Sequence, residues 1–411
     1  PAVGTVIQGK SVKVDSVAST SFKLDVLGTA AKLLDQSWLP SDSALLKTLN
    51  DQVFDFSSVP LVSLSTSQAT TRIDGATQVT STGDLTVHSE ATSVSQPTFS
   101  GLLVLSAAWG ESTAEATTQV QGTSQLTAGG AAKVQASTDV TVDVSATITT
   151  TNKPIDAVFV RADNSATTTA ETGAGTRIRG NSIEVSAANK TDIAVSGTAA
   201  NQGGSGMGIA VAVNTSKNDV TARLGGDAAS TGGATRVDAS IAITQNTTAA
   251  DASTLGDPSS ISAQITNFTA GIQRNVVSGV LGATGKLSGA TGDKIANFMF
   301  PGIKEGKFNL SGAVTYSDSA NTAKASIADG AKVQSAAGLD VTASIQDRPS
   351  ASVGAKTSST GTAIGGAVAL ANFSNDAQAW IGKGATVDAK GALKVDARTL
   401  VPYPWQINWN S

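Results

Sequence analysis

The sequence predicts an all-β fold: a parallel β-solenoid, right-handed by the rule that governs parallel connections, with short helical insertions. Three observations predict it. The composition is rich in small and β-branched residues, apolar and polar residues alternate with period two, and one unit recurs along most of the chain.

Composition sets the class. Over 411 residues only 15% are charged and 4% aromatic, with Thr, Ser, Ala, Gly and Val filling the difference. Such side chains fit a pleated surface, and few long charged ones remain to decorate helices. A net charge of −4 gives no basic field for nucleic acid or an anionic membrane. With no cysteine, a disulfide framework, a thiol nucleophile and thiolate metal sites are excluded. No run of about 18 apolar residues occurs, so no membrane-spanning helix is predicted. The chain opens on Pro1 with no charged-then-apolar leader, and so reads as a processed product or a piece of something longer.

The recurring unit is a Gly-Ala turn, a β-branched residue, a polar gap, then two apolar residues separated by one. Its best copies are Gly330-Ala331-Lys332-Val333 with Leu339 and Val341, and Gly384-Ala385-Thr386-Val387 with Leu393 and Val395. Looser copies begin at Gly75-Ala76, Gly130-Ala131, Gly173-Ala174 and Gly233-Ala234. The anchors Val79, Val134, Ile178, Val237, Val333 and Val387 stand 55, 44, 59, 96 and 54 residues apart. A second run, Ala210-Val211-Ala212-Val213-Asn214 leading to Asn218, recurs at Gly312-Ala313-Val314 leading to Asn321 and at Ala367-Val368-Ala369 leading to Asn375. Each reads as a strand closed by an Asn-centred turn. Short alternating strands between Gly turns describe a coil around a thin triangular apolar core, with two coils of roughly 20–25 residues in each repeat. Val333, Leu339, Val341, Val387, Leu393 and Val395 are predicted to point inward and stack.

Two stretches break the pattern. Within 258–300, Ile261, Ile265, Phe268, Ile272, Val276 and Val280 have helical spacing and fall in the longest interval between anchors. Residues 30–56 carry Leu33, Leu34, Leu45, Leu46, Leu49, Val53 and Phe54 around Pro40 and read as two short helices. A brace over exposed core is the simpler role for both, and a partner-binding helix the sharper one. The organisation expected is coils with a short helical segment over 1–60, solenoid over 61–250, a mostly helical insertion over 251–307, solenoid over 308–400 and an extended aromatic tail over 401–411.

The run Gly206-Met207-Gly208-Ile209-Ala210-Val211-Ala212-Val213-Asn214 and the run Ile381-Gly382-Lys383-Gly384-Ala385-Thr386-Val387-Asp388-Ala389 resemble units of large repetitive bacterial surface proteins. These are the filamentous-haemagglutinin-like and autotransporter-type adhesins and exoproteins with β-helical shafts. The likeness covers roughly 70–250 and 310–400, and it implies a secreted, cell-surface fibre.

Residues for chemistry are sparse. The single histidine, His88, follows Leu85 and Val87 by alternation onto the outward face, where a solvated role is expected. Gly279 to Lys286 has the wrong spacing for a phosphate loop, and Gly173-Ala174-Gly175 has Ile178 where a dinucleotide fingerprint needs glycine. The Gly-Gly-x-Gly-x-Asp calcium nonapeptide is absent, so no metal or other cofactor is called for. Asp340, Asp388 and Asp396 alternate outward with Lys332, Lys383 and Lys394 as mixed ladders, though paired carboxylates could still stack between coils. The suggestive residues are aromatic: Trp380, outward between Ala379 and Ile381, and Tyr403, Trp405, Ile407 and Trp409 in the tail. They are the candidate contacts to another subunit or a glycan.

The resulting expectation is a non-enzymatic extracellular structural protein, part of a bacterial surface fibre that extends end to end. Its partners would be other copies of itself, glycans, or a host or neighbouring cell surface. A glycan- or partner-binding module on such a shaft is the alternative, and a carbohydrate-active β-helix enzyme the less favoured one.

Overall fold

The computed structural model describes residues 4–27, 59–101, 105–151, 155–202, 206–255, 308–358 and 362–401. Among them are twenty-one strands and no helix, arranged in three sheets whose strand pairs are all parallel. Both expected helical segments, 30–56 and 258–300, lie outside the described residues, as does the tail from residue 402.

Sheet I is narrow. Its strands, four residues each, are β1 (Val6–Gly9), β4 (Gln78–Ser81), β7 (Gln125–Ala128), β10 (Arg177–Gly180), β13 (Asp227–Ser230), β16 (Lys332–Ser335) and β20 (Thr386–Ala389). Sheet II holds β2 (Val12–Leu27), β5 (Leu85–Gly101), β8 (Ala131–Thr151), β11 (Ser182–Gln202), β14 (Thr235–Leu255), β17 (Leu339–Gln346) and β21 (Leu393–Leu400), with β18 (Pro349–Ser358) continuing the level of β17 along β14. Sheet III holds β3 (Val59–Ile73), β6 (Leu105–Val120), β9 (Ile155–Thr172), β12 (Met207–Leu224), β15 (Phe308–Ile327) and β19 (Thr362–Ile381). The chain runs III, I, II and then rises one level, so each circuit stacks on the last as a parallel β-solenoid.

One circuit takes about fifty residues, and this corrects the expectation of two coils per repeat. Val14, Val87, Val134, Val185, Val237, Val341 and Val395 are register partners up sheet II, at intervals of 73, 47, 51, 52, 104 and 54. The residues assigned to a second coil are taken up by long strands, which reach 21 residues in β8, β11 and β14. The section is therefore two broad faces closed by a narrow one rather than a thin triangle.

The anchors also mixed two columns. Gly75, Gly330 and Gly384 occupy the turn from sheet III to sheet I, with φ near +70°, where a β-carbon would strain the backbone. Gly130 and Gly233 stand one corner later, before β8 and β14. Val134 and Val237 thus belong to the sheet II column, while Val79 and Ile178 share a sheet I column with Leu126, Ala228, Val333 and Val387.

Alternation decides what is inside. In β5 every second residue from Leu85 to Phe99 is buried and the residues between are half-buried. The interior is not purely apolar, because sheets II and III also meet through hydroxyls and amides. Ser93 Oγ donates to Ser65 O at 3.0 Å, and Thr118 Oγ1 to Gln135 O at 2.6 Å. Of the six predicted core residues, Val333, Leu339 and Val341 are buried. Val387, Leu393 and Val395 stack in the expected register but are not buried, because β20 and β21 form the last described coil.

Candidate assembly surfaces and polar clusters

The two ends of the stack expose what every internal coil hides. In the column Leu85, Ala132, Ile183, Thr235, Leu339 and Leu393, the first five are buried and Leu393 is 53% exposed. Val395 is 43% exposed above the buried Val341. At the other end Ile7 is 37% and Phe22 40% exposed, whereas their column neighbours Val79 and Ser95 are buried. Along β19, β20 and β21, and along β1 and β2, each strand has a sheet partner on one side only among the described residues. An unpaired edge of this kind templates further pairing.

Trp380 lies outward on β19, next to Ser326 of β15, and is 40% exposed. Tyr403, Trp405, Ile407 and Trp409 lie outside the described residues.

His88 points outward as alternation requires, but it is half-buried and engaged. Its Nδ1 lies 2.9 Å from Asp15 Oδ1 and its Nε2 3.2 Å from Ser137 Oγ, so one ring ties three successive coils. A hydrogen bond from Lys13, with a smaller one from His88, holds the Asp15 carboxyl below its usual range against the opposing effect of burial.

A cluster that sequence reasoning left unnamed stands outward on sheet III. Trp109 and Arg161 are register partners on β6 and β9, as are Glu111 and Asp163. The Arg161 guanidinium lies 5.5 Å from the Trp109 ring centroid and bonds both Asp163 oxygens, at 2.6 and 2.9 Å. Trp109 Nε1 donates to Asp163 Oδ2 at 2.9 Å. Burial, and secondarily the charge of Asp163, pushes the Glu111 carboxyl up. A pair of neighbouring carboxylates is the raw material of acid–base hydrolysis. Here, however, Asp163 is occupied by three donors, so the arrangement works as a clamp between coils. The available signal was the repeat interval, which sets residues 109 and 161 side by side once the coil length is known.

The Asn-centred turns are also corrected. Asn218, Asn321 and Asn375 sit inside continuous strands and form an amide ladder through the core. Asn164 Nδ2 donates to Asn218 Oδ1 at 3.0 Å, Asn218 Nδ2 to Asn321 Oδ1 at 2.8 Å, and Asn321 Nδ2 to Asn375 Oδ1 at 2.7 Å. Asp347, between β17 and β18, is buried beside it. It accepts from Asn246 at 3.1 Å and Asn321 at 3.4 Å, and its carboxyl is pushed up by burial. Thr150 donates at 2.7 Å to each oxygen of buried Asp156, whose pKa burial raises to about 6.

Among the described residues no group of three or more His, Cys, Asp or Glu is placed to hold a metal ion, and no helix is long and apolar enough to cross a membrane. The outward charges pair laterally, as in Arg236–Asp340 at 3.7 Å and Lys394–Asp396 at 3.4 Å. Fold and surfaces together define a repetitive parallel β-solenoid. No family model, curated protein or solved structure matches the chain.

Proposed function

We propose that the chain is a non-enzymatic extracellular structural protein, a length of bacterial surface fibre whose coils continue from one copy to the next. The observation that carries this reading is the match between its two exposed ends. Val395 and Leu393 at one end belong to the same columns as Val14 and Val12 at the other, and Val387 to the same column as Ile7. A second copy stacked with β1 on β20 and β2 on β21 would extend each column without changing its residue type. Such a head-to-tail contact is heterologous and builds a filament when rotation does not close it. The low charged fraction and the resemblance to surface shafts support an extracellular setting.

Electron microscopy over a concentration series tests the reading. Filaments with the ~4.8 Å axial spacing of stacked strands are expected. Leu393→Lys with Val395→Lys should abolish them while leaving the β-type circular dichroism intact. Particles that remain single at every concentration, or filaments indifferent to both lysines, overturn it. One observation favours adhesion on the same shaft: Trp380, an exposed aromatic on an outward face, suits a sugar ring.

A further inference from the structure

We infer that the core binds a water molecule between β12, β14 and β15, held by Asn214, Thr248 and Thr315. The amides beside this place are directional. Asn214 Nδ2 donates to Asn246 Oδ1 at 2.7 Å, and Asn246 Nδ2 donates in turn to Asp347 Oδ1 at 3.1 Å. Both donors point toward the buried carboxyl, so this chain of bonds ends at Asp347 and begins at Asn214. At its beginning Asn214 Oδ1, an atom that can only accept, has no partner within the protein. Turning the amide over would not supply one, because two carbonyl oxygens would then face each other at Asn246. Thr248 Oγ1 and Thr315 Oγ1 also lack a partner, and all three side chains are fully buried.

The register brings these three side chains together. Across the core, residue 246 of β14 stands opposite 214 of β12, and a β-carbon on Gly208 would lie 3.3 Å from Thr254 Oγ1. The two strands therefore run past each other in opposite directions, which sets Thr248 against residues 212–214. One level up, Thr254 Oγ1 donates to Leu310 O at 2.9 Å, so Thr248 stands opposite residue 316, beside Thr315. Thr315 in turn is the register partner of Ala212, and Asn214 follows Ala212 on the same inward face. The other inward neighbours, Ala250 and Ala313, are buried and supply no polar atom. A stranded buried polar group is costly, and native cores rarely keep three together. Water matches this donor set. It can donate to Asn214 Oδ1 and to one threonine and accept from the other hydroxyl, the three bonds a buried water usually makes. The three oxygens are neutral, which favours water over a divalent cation seeking carboxylates.

High-resolution crystallography of the full chain tests the site directly. A density peak within hydrogen-bond distance of Asn214 Oδ1, Thr248 Oγ1 and Thr315 Oγ1 is expected. No peak there overturns the inference, and so does a peak that gains anomalous signal when crystals are soaked in rubidium, which marks a cation. Thr248→Val and Thr315→Val give a second reading in solution, since each keeps the shape of the side chain and removes one hydroxyl. With water bridging the hydroxyls, each variant lowers Tm. The double variant then lowers it by less than the sum, because both losses fall on one molecule. With hydroxyls that have no partner at all, valine removes a desolvated polar atom and Tm rises. A rise in either single variant, or strictly additive losses, overturns the inference. If a variant loses the strand circular dichroism signal, the density alone decides.

Discussion

Asn321→Ala probes the amide ladder at its centre. The Asn321 side chain is buried, accepts from Asn218 at 2.8 Å and donates to Asn375 at 2.7 Å, Ser319 at 3.1 Å and Asp347 at 3.4 Å. Truncation leaves Asn218 its bond to Ser216, but removes a donor from Asn375 Oδ1 and from the buried Asp347 carboxyl. Stranding a buried polar group costs about 1–3 kcal/mol; with Asn375 only half-buried, the sum comes to about 3 kcal/mol. A second consequence follows from Asp347. Its folded pKa lies above the ordinary value, so its contribution to stability is fully present below that value and is lost as pH rises through the folded one. Removing a donor raises the folded pKa further, so the deficit of the variant should grow from pH 5 to pH 8. Urea unfolding followed by far-ultraviolet circular dichroism measures both effects. Hydrogen exchange within β15 checks that loss is not confined to one end of a stack that can unfold in parts. A cycle with Asn218→Ala should show coupling of about 1–2 kcal/mol. A total loss below about 1 kcal/mol, or a deficit that shrinks as pH rises, refutes a ladder that stabilises the core.

Three further outcomes are expected. Val341→Asp places a charge between Val237 and Val395 in a buried column and should cost about 4 kcal/mol or more in the same urea assay. Asp156→Asn should change little near pH 4 and stabilise by up to about 3 kcal/mol at pH 8, read as a rise in Tm, because the native carboxyl loses its stabilising proton as pH passes about 6. Arg161→Ala should lose about 1–2 kcal/mol and shift Trp109 emission, and Arg161→Lys should not restore either, since an ammonium cannot fork onto both Asp163 oxygens.

Alternation made the fold class legible, and inward and outward residues were assigned correctly wherever β-branched residues marked the strand. Val333, Val341 and His88 fall on the faces their neighbours dictate. Coil length was not legible for a physical reason. A period of two carries no information about where a strand ends, and Asn within an alternating run has the same local signature in a turn as in a buried ladder. The ladder differs only in having Asn recur one coil away, at 218, 321 and 375, and that spacing means nothing until the coil is known. The Trp109–Arg161–Asp163 clamp was hidden in the same way, since its members are distant in sequence and meet only across a strand pair. Trp380 stood out because a large aromatic is conspicuous in a chain with so few.

The corner from sheet II to sheet III separates two ways in which the molecule can change size. At 102–104, 152–154 and 359–361 the chain turns it in three residues, while at 28–58 and 256–307 it takes 31 and 52. Across the longer of these, β12 and β15 still pair without a register shift from Met207 to Leu224. Widening a loop's span adds to its closure entropy only logarithmically. Height is therefore set by the number of circuits and decoration by what this one corner admits, with little coupling between them. For a builder of chimaeras the corner is an insertion port, whereas the turn from sheet III to sheet I, gripped by a left-handed glycine at Gly330 and Gly384, is not.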